Sequence, residues 1–287
     1  MFWRDLKVVC VVLGLATVCT QALGATFYVG AATADITPEQ PAALSGQFHL
    51  RISTAIETPI SASVVGLCGA AGDQSPHLMI RKAAEERMRR LRGLGRLDEI
   101  ARRVVRAVDD AYEVVKNDRH TDVPVVHRVE TVELPMRLVT EDEFAEAKAG
   151  VDAASVKIKQ DPKSADREHR RMKWYQATVD RFERQKTEPN PVLEMELHVV
   201  RIGGAVICTN QFELFTDFGI RIKARSKAEQ TFVVQLVGPG TYLPTARAEQ
   251  GGHYSAIVHS SHVGSKGGQV LVDKTVELID AAWASEK

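Results

Sequence analysis

The sequence has no excess of charge of either sign. It contains 37 Lys and Arg residues and 37 Asp and Glu residues. A large net charge favours a polyanionic partner or a charged membrane surface, so this balance argues for neither. The sequence also lacks an RNA- or DNA-binding motif, and no nucleic-acid partner is expected. With 44% hydrophobic residues in a chain of 287, the composition is that of a globular protein with a buried core.

Long hydrophobic runs are also lacking. The apolar run Val8 to Val18 is shorter than the roughly 20 residues that a membrane-spanning helix needs. Arg4 and Lys7 precede this run and Ala22-Leu23-Gly24 follows it, which is the order of a secretory signal peptide. We therefore predict a signal peptide at residues 1–24 and an exported protein, periplasmic or extracellular. An uncleaved N-terminal anchor is the alternative.

Cysteine is scarce. Of the four cysteines, Cys10 and Cys19 lie in the predicted signal peptide, which leaves Cys68 and Cys208 in the exported protein. Val18 is a poor residue immediately before a lipidated cysteine, so a lipoprotein is not expected. An exported compartment permits a disulfide between the remaining pair. Two independent buried thiols are the other interpretation.

The hydrophobic pattern predicts both strands and helices. Hydrophobic residues alternate with polar ones from Val192 to Val200, and Gly203-Gly204 then turns the chain into a β-hairpin. Thr140 with Glu143 fits a capping box at the start of a helix. No regular βαβ rhythm is present, so we predict a single α/β domain over residues 25–287 with a mixed sheet layered with helices. The predicted strands are 27–36, 62–67, 123–138, 192–200, 205–208 and 232–237, and the predicted helices are 76–116, 144–154, 164–187, 213–226 and 269–284.

The first predicted helical region, 76–116, has two notable features. Gly93 and Gly95 are expected to divide it into two helices. In the second helix, apolar residues from Leu97 to Ala111 recur at three- and four-residue steps, which predicts packing against a core. A run of five arginines reads as a solvated face, with contact to an anionic surface as the alternative; it comprises Arg87, Arg89, Arg90, Arg92 and Arg96.

A glycine-rich turn, Gly72-Asp73-Gln74-Ser75-Pro76, joins a predicted strand to this helical region. A serine at such a turn can present its hydroxyl while N–H groups at the helix start stabilise negative charge. Serine needs a neighbouring base or metal to become a good nucleophile. The alternative is a helix cap, in which Asp73 or Ser75 accepts hydrogen bonds from the first free N–H groups.

Two later segments could also contribute to a site. Glu213 follows the hairpin and opens a predicted helix, where a carboxylate can bind a cation or simply stabilise the helix dipole. Residues 238–254 form a glycine- and proline-rich stretch that carries Tyr242, Arg247, His253 and Tyr254. This stretch is predicted to be either a functional loop or an ordinary surface loop with aromatic anchors.

Several motifs that would reveal a chemistry directly are missing. The nine histidines form no His-x-His or His-Glu-x-x-His pattern, and His259 and His262, three apart, lie in a stretch without a clear helical pattern. The sequence has no Cys-x-x-Cys, Walker or Gly-x-Gly-x-x-Gly motif. It has no Gly-x-Ser-x-Gly elbow either, which argues against an unrelated serine hydrolase.

Four segments, in order, resemble one family. GAAGDQSP resembles the Gly-Asp-x-Ser-Pro motif of the neutral/alkaline non-lysosomal ceramidases, zinc-dependent amidases that cleave the amide of ceramide. FELF is similar to their segment with a zinc-binding glutamate. TYLPT, followed by Tyr254, is similar to their loop with two active-site tyrosines. The opening VGAATADITP and LSGQFHLR resemble the family's first strand and loop.

The resemblance implies a role for four residues. Ser75 takes the place of the family's proposed nucleophile, and Glu213 and Tyr242 take the places of two ligands of a Zn²⁺ cofactor. Tyr254 takes the place of a tyrosine that contacts the scissile carbonyl. The implied partner is a lipid amide substrate, with peripheral contact to a membrane.

The sequence also departs from the family. Gln74 and His77 replace a valine and an asparagine beside the serine. A long segment near residue 67 is missing, and in the family that segment supplies two zinc-binding histidines. Two hypotheses follow. The protein is a zinc-dependent, ceramidase-type amide hydrolase, whose activity the missing ligands put in doubt, or it is a non-catalytic, shortened relative that binds lipid or acts as a scaffold.

Overall fold

The structure is a computed structural model that describes residues 30–35, 61–74, 81–117 and 122–284. For 30–35 and 61–66 the backbone alone is described. The predicted signal peptide and Ser75 lie outside the described residues.

The described residues form eight strands and seven α-helices. They begin with an antiparallel pair and two helices, continue through an α/β body and end in a long helix. In chain order they are β1 (Gly30–Asp35), β2 (Ser61–Gly66), α1 (Lys82–Arg92), α2 (Arg96–Val115), β3 (Val125–Pro135), α3 (Glu141–Gln160), α4 (Ala165–Thr187), β4 (Val192–Ile202), β5 (Ala205–Thr209), β6 (Glu213–Leu214), α5 (Thr216–Arg225), β7 (Gln230–Val234), β8 (Tyr242–Leu243), α6 (Ala246–Gly251) and α7 (Ser265–Trp283).

The largest sheet of the described residues has four strands in the order β3-β4-β5-β7. The first three are antiparallel, and β7 runs parallel to β5, so the sheet is mixed. Helices α5 and α7 pack over one face of it. Buried residues of that face include Leu134, Leu197 and Val206, which join Phe218 of α5 and Ile279 of α7 in one hydrophobic core. The predicted α/β fold with a mixed sheet is confirmed.

Local sequence signals set several element boundaries. The Thr140 hydroxyl accepts a hydrogen bond from the Glu143 N–H (3.2 Å), and the Glu143 carboxylate accepts one from the Thr140 N–H (2.9 Å). This capping box starts α3, which is longer than predicted and continues to Gln160. Gly93 ends α1 in a left-handed conformation (φ 66°), as expected for a glycine after a helix.

The prediction that α2 packs its apolar stripe against a core is wrong. Leu97 is 80% exposed and Val104 is 58% exposed. The buried side chain of α2 is instead Glu99, whose carboxylate accepts hydrogen bonds from Arg92 and Arg103 at 2.9 Å. The charged side of α2 is therefore the side engaged with neighbours, and no other described segment covers the apolar side.

Helix α5 starts later than predicted. Glu213 lies in the short strand β6 and not at the helix start, because its segment pairs with β8 before the chain turns into α5 at Thr216. The prediction that Glu213 opens this helix is therefore wrong.

The two described cysteines are free thiols, so the disulfide interpretation is wrong. Cys208 is buried, and its burial raises the pKa of the thiol to about 12. Cys68 is exposed, so the interpretation of buried thiols holds for Cys208 alone. Among the described helices, none combines the length and the apolar character required to cross a membrane.

Candidate functional site

Two short strands carry the acid and one tyrosine of the predicted site. Because β5 and β7 are parallel neighbours, their carboxyl ends lie at the same edge of the sheet. The chain continues from these ends into β6 and β8, which pair in parallel with Glu213 opposite Tyr242. The Glu213 N–H donates to the Thr241 carbonyl (3.1 Å), and the Phe215 N–H donates to the Leu243 carbonyl (3.3 Å). The sheet topology thus brings Glu213 and Tyr242 side by side.

The side chains of this pair are coupled. Burial of Tyr242, together with hydrogen bonding to Glu213 and the negative charge of Glu213, raises the pKa of Tyr242 to about 12. Tyr242 is therefore protonated at neutral pH.

Tyr254 completes a three-residue group, the Glu213–Tyr242–Tyr254 cluster. Its ring centroid lies 5.9 Å from that of Tyr242, with the planes at 76°. The other side of Tyr254 stacks on Trp174 of α4, with centroids 6.1 Å apart and planes at 28°. Tyr254 is 65% exposed, so its ring is accessible to a ligand while the two aromatic neighbours limit its orientation.

The glycine-rich turn packs directly against this cluster. The Gly72 N–H donates to the Leu214 carbonyl at 2.7 Å. A Cβ atom at Gly72 would lie 2.1 Å from the carbonyl oxygen of Glu213, so a side chain has no room at this position. Gly240 allows a similar approach on the tyrosine side, where a Cβ would lie 2.0 Å from the Gln211 carbonyl oxygen. Two glycines thus permit close contact between segments far apart in sequence.

Asp73 caps helix α5, which is distant from it in the sequence. Its Oδ1 atom accepts hydrogen bonds from the N–H (2.8 Å) and the hydroxyl (2.6 Å) of Thr216, the first residue of α5. Partial burial raises the pKa of Asp73, but the hydrogen bonds from Thr216 outweigh this and hold it below the usual value of 3.8. Asp73 therefore ties the turn to α5, whereas the start of the helix predicted at residue 76 lies outside the described residues.

Ser75, the predicted nucleophile, follows this turn but lies outside the described residues. Its neighbour Gln74 donates a hydrogen bond to the Thr216 hydroxyl at 3.3 Å. The described part of the turn therefore reaches the segment that contains Glu213, and the role of Ser75 stays a prediction.

Helix α4 holds the segment that presents Tyr254. Thr178 and His259 share a buried hydrogen bond of 2.7 Å between the hydroxyl oxygen and Nδ1. Arg181 donates to the Val258 carbonyl at 2.8 Å, and Arg137 donates to the Ala256 carbonyl at 2.6 Å. These anchors fix residues 256–259 on α4 and on the end of β3.

Sequence reasoning missed these anchors. Thr178 and Arg181 lie on a polar helix, and neither belongs to a recognisable motif. Burial lowers the pKa of His259, and burial lowers that of His262 to about 4, so both imidazoles are neutral at neutral pH. A buried neutral His259 bonded to Thr178 is a structural element of the loop.

An open groove of about 830 Å³ lies beside the turn, between the starts of α5 and α6. Asp73 lines one part of it, and His253 and Ser255, the neighbours of Tyr254, line another. Two arginines and two aspartates line it, and Arg221 is paired with Asp217 at 2.6 Å. The groove adjoins the turn, and the three residues of the cluster are not among those that line it.

The described residues do not fit the zinc centre that the resemblance implies. Among them, no three His, Cys, Asp or Glu side chains lie close enough together to hold a metal ion. Glu213 and Tyr242 bring two oxygen donors together, whereas a catalytic zinc normally has three protein ligands. What this part of the chain offers is a carboxylate and two hydroxyl donors, a set that can bind a carbonyl oxygen or an amide.

Comparisons with known proteins give little further guidance. No protein-family model matches the chain. No curated protein matches it in sequence. A solved structure described as a ceramidase complexed with C2 is similar over 31% of this chain and 15% of that chain, at 17% identity and a TM-score of 0.27. A likeness that covers so little of either chain establishes neither a common fold nor a common activity.

Proposed function

We propose that the Glu213–Tyr242–Tyr254 cluster and the adjoining turn at Gly72 form the substrate site of a ceramidase-type hydrolase, which cleaves the amide of an N-acylated lipid. The observation that carries this proposal is the convergence of three segments. The acid, the tyrosine loop and the glycine-rich turn are far apart in sequence and meet at one edge of the sheet. The family resemblance expects the same three segments to form one site.

The chemistry of the cluster suits an amide carbonyl. Tyr242 remains protonated because its pKa is raised to about 12, and Tyr254 is exposed beside it. The Tyr254 hydroxyl can donate a hydrogen bond to the carbonyl oxygen as it gains negative charge. Tyr242 has a single O–H proton, so it donates to the substrate only when it exchanges Glu213 for the carbonyl oxygen as its acceptor. Hydrolysis consumes one water, breaks the C–N bond and releases a fatty acid and an amine.

We also propose that the hydrolysis depends on zinc. In the family that the sequence resembles, the metal polarises the carbonyl and activates water. The described donor set provides two ligands, one fewer than a catalytic zinc normally has. Metal dependence of the reaction requires at least one further ligand from outside the described residues.

The experiment combines metal analysis with an assay of turnover. The purified chain is assayed on a fluorogenic N-acyl sphingosine, with and without added zinc, and its zinc content is measured by mass spectrometry. We expect hydrolysis that Glu213→Gln and Tyr254→Phe reduce by about 10²-fold or more. Glu194→Gln and Tyr112→Phe, which alter residues of the same types on β4 and α2, are the matched controls and should leave the rate unchanged.

A second function is favoured by the donor set itself. The described site has two oxygen ligands, one fewer than a catalytic zinc normally has. A non-catalytic protein can use the same cluster to bind an N-acylated lipid without hydrolysing it. In this case a fluorescent short-chain ceramide binds, Tyr254→Phe weakens the binding, and no fatty acid is released. Absence of both binding and hydrolysis in folded protein rejects both functions.

A further inference from the structure

The outer face of the four-stranded sheet carries a chain of three polar side chains. Successive residues of β3 and β4 point to opposite faces of the sheet, and the core with α5 and α7 lies on the other face. On the outer face His127 is exposed, and the side chains of His198 and Glu196 are 30% and 64% exposed. We call these three residues the His127–His198–Glu196 triad.

The strand register brings the two histidines together. His198 pairs with Val129, and His127 lies two residues before Val129 on the same face, so the imidazoles are diagonal neighbours. Their ring planes are within 15° of parallel, and the ring centroids are 5.3 Å apart. Nε2 of His127 lies 3.0 Å from Nδ1 of His198. The sheet therefore holds two ring nitrogens against each other on a solvent-exposed surface.

The hydrogen bonds determine which nitrogen of His198 has the lone pair. Oε1 of Glu196 lies 2.6 Å from Nε2 of His198, and an ionised carboxylate can only accept a hydrogen bond. Nε2 of His198 therefore carries the proton, and Nδ1 of the neutral ring has the lone pair. His127 donates to this lone pair from its own Nε2.

This arrangement is typical of a supported metal ligand. A histidine that binds a metal usually donates its other ring N–H to a carboxylate, which orients the ring and makes the ligating nitrogen more basic. Glu196 occupies this place beside His198. Because Glu196 is bonded at Nε2, it leaves Nδ1 free, and the two ligand atoms that the triad offers are Nδ1 of His198 and Nε2 of His127.

The spacing of these two atoms indicates which ion fits. Nitrogen ligands about 2.1 Å from an ion lie about 3.0 Å apart at a right angle and about 3.4 Å apart in a tetrahedron. The observed 3.0 Å is the right-angle spacing, and square or tetragonal sites with nitrogen and oxygen ligands are typical of Cu²⁺ and Ni²⁺. Of the divalent first-row ions, Cu²⁺ binds such ligands most tightly.

We propose that the His127–His198–Glu196 triad is a Cu²⁺-binding site, in which the two imidazoles take adjacent ligand positions, Glu196 supports His198 and water supplies the other ligands. When the ion binds, Nε2 of His127 gives up its proton and Nδ1 of the same ring takes one from solvent, so each imidazole stays neutral. The exposed ring of His127 turns about its Cβ–Cγ bond to aim its lone pair at the ion. The triad shares no residue with the proposed hydrolase site, so the inference does not depend on that function.

The first test measures Cu²⁺ binding to the purified chain by isothermal titration calorimetry in a buffer that does not chelate copper. The wild-type chain should show a high-affinity site that His127→Gln and His198→Gln each weaken at least about tenfold. His169→Gln, at an exposed histidine of α4, is the matched control and should leave this site unchanged. Circular dichroism of each variant should match that of the wild-type chain.

The second test addresses the support from Glu196. Glu196→Gln should weaken Cu²⁺ binding about tenfold or more although both imidazoles remain, because a neutral amide stabilises the metal-bound ring less than a carboxylate does. Glu194→Gln, two residues earlier on the same face, removes an equal charge and should have little effect. Equal effects of the two substitutions would reduce the role of Glu196 to general charge attraction and overturn this part of the proposal.

The third test counts the ligands. Electron spin-echo spectroscopy of the Cu²⁺-loaded chain detects the remote nitrogen of each bound imidazole. The wild-type chain should show two imidazoles, and His127→Gln and His198→Gln should each show one. Zn²⁺ should compete poorly with Cu²⁺ for the site, as the order of metal affinities requires.

Two outcomes overturn the proposal as a whole. One is Cu²⁺ binding that the double substitution His127→Gln, His198→Gln does not weaken, which places the copper elsewhere, for example at the amino terminus of the chain. The other is a wild-type spectrum with fewer than two imidazoles, which leaves the two histidines as a hydrogen-bonded pair without a metal.

Discussion

Glu213 and Tyr242 lie directly opposite each other in the parallel pair β6–β8, and Glu213 contributes to the raised pKa of Tyr242. Helix α5 and strand β7 separate them along the chain, so their contact depends on the way β5 and β7 end at one edge of the sheet. The proposed site depends on this pair.

Removing the charge of Glu213 should lower the pKa of Tyr242. In Glu213→Gln, burial still raises this pKa, but the negative charge that adds to it is gone, so the value should fall from about 12. The absorbance of tyrosinate at 295 nm, followed between pH 8 and about 13, reports the titration. Subtracting the curve of Glu213→Gln, Tyr242→Phe isolates Tyr242. An unchanged titration would show that the two side chains are not coupled.

Replacing Gly72 should disrupt the contact between the turn and β6. In Gly72→Ala the new Cβ would lie 2.1 Å from the Glu213 carbonyl oxygen, so the backbone must move. We expect a loss of roughly 1–3 kcal/mol in the free energy of unfolding, as for other overpacked sites. Urea denaturation measures it. Gly69→Ala, whose Cβ would meet its nearest atom at 4.0 Å, is the control and should be nearly neutral.

Asp73 should make the stability of the protein depend on acid pH. Its pKa is depressed in the folded state by the hydrogen bonds from Thr216, so the stabilisation is complete above the unfolded-state pKa of about 4. It should then be lost as the pH falls through the lower folded-state value. Asp73→Asn should therefore be less stable than wild type at pH 7, and the two should converge as the pH approaches 2. A difference that is constant with pH would contradict this assignment.

The hydrogen bond between Thr178 and His259 should stabilise the loop that carries Tyr254. Thr178 is 1% exposed and His259 is 4% exposed, so removing the hydroxyl leaves a buried ring nitrogen without this partner. Thr178→Val should cost about 1–3 kcal/mol of unfolding free energy. It should also speed amide hydrogen exchange at residues 253–260. Thr187→Val, at an exposed residue of the same helix, is the control; equal effects of the two would argue against the anchor.

Much of the fold could be predicted from local patterns. The capping box at Thr140 and Glu143 and the alternation in β4 are encoded in a few adjacent residues, and both predictions are confirmed. The break at Gly93 follows from a single residue that tolerates the left-handed conformation. These elements form because nearby residues agree on one backbone conformation.

The features that were not predicted depend on distant residues. Strand β6 has two residues, too few for any periodicity, and exists because β8 pairs with it. Asp73 caps α5 across a separation of 143 residues, which no spacing rule can reveal. The apolar stripe of α2 correctly predicted an amphipathic helix, but periodicity alone does not tell which partner covers its apolar side.

The most direct test of the site is photolabelling of the purified chain with a diazirine-bearing, short-chain N-acyl sphingosine, followed by mass spectrometry of the labelled peptides. The proposed site predicts label on the segments that contain Tyr242 and Tyr254, displacement of that label by unlabelled ceramide, and reduced labelling in Tyr254→Phe but not in Tyr112→Phe. Label that spreads over the surface, or that concentrates elsewhere and is unaffected by competition, would contradict it.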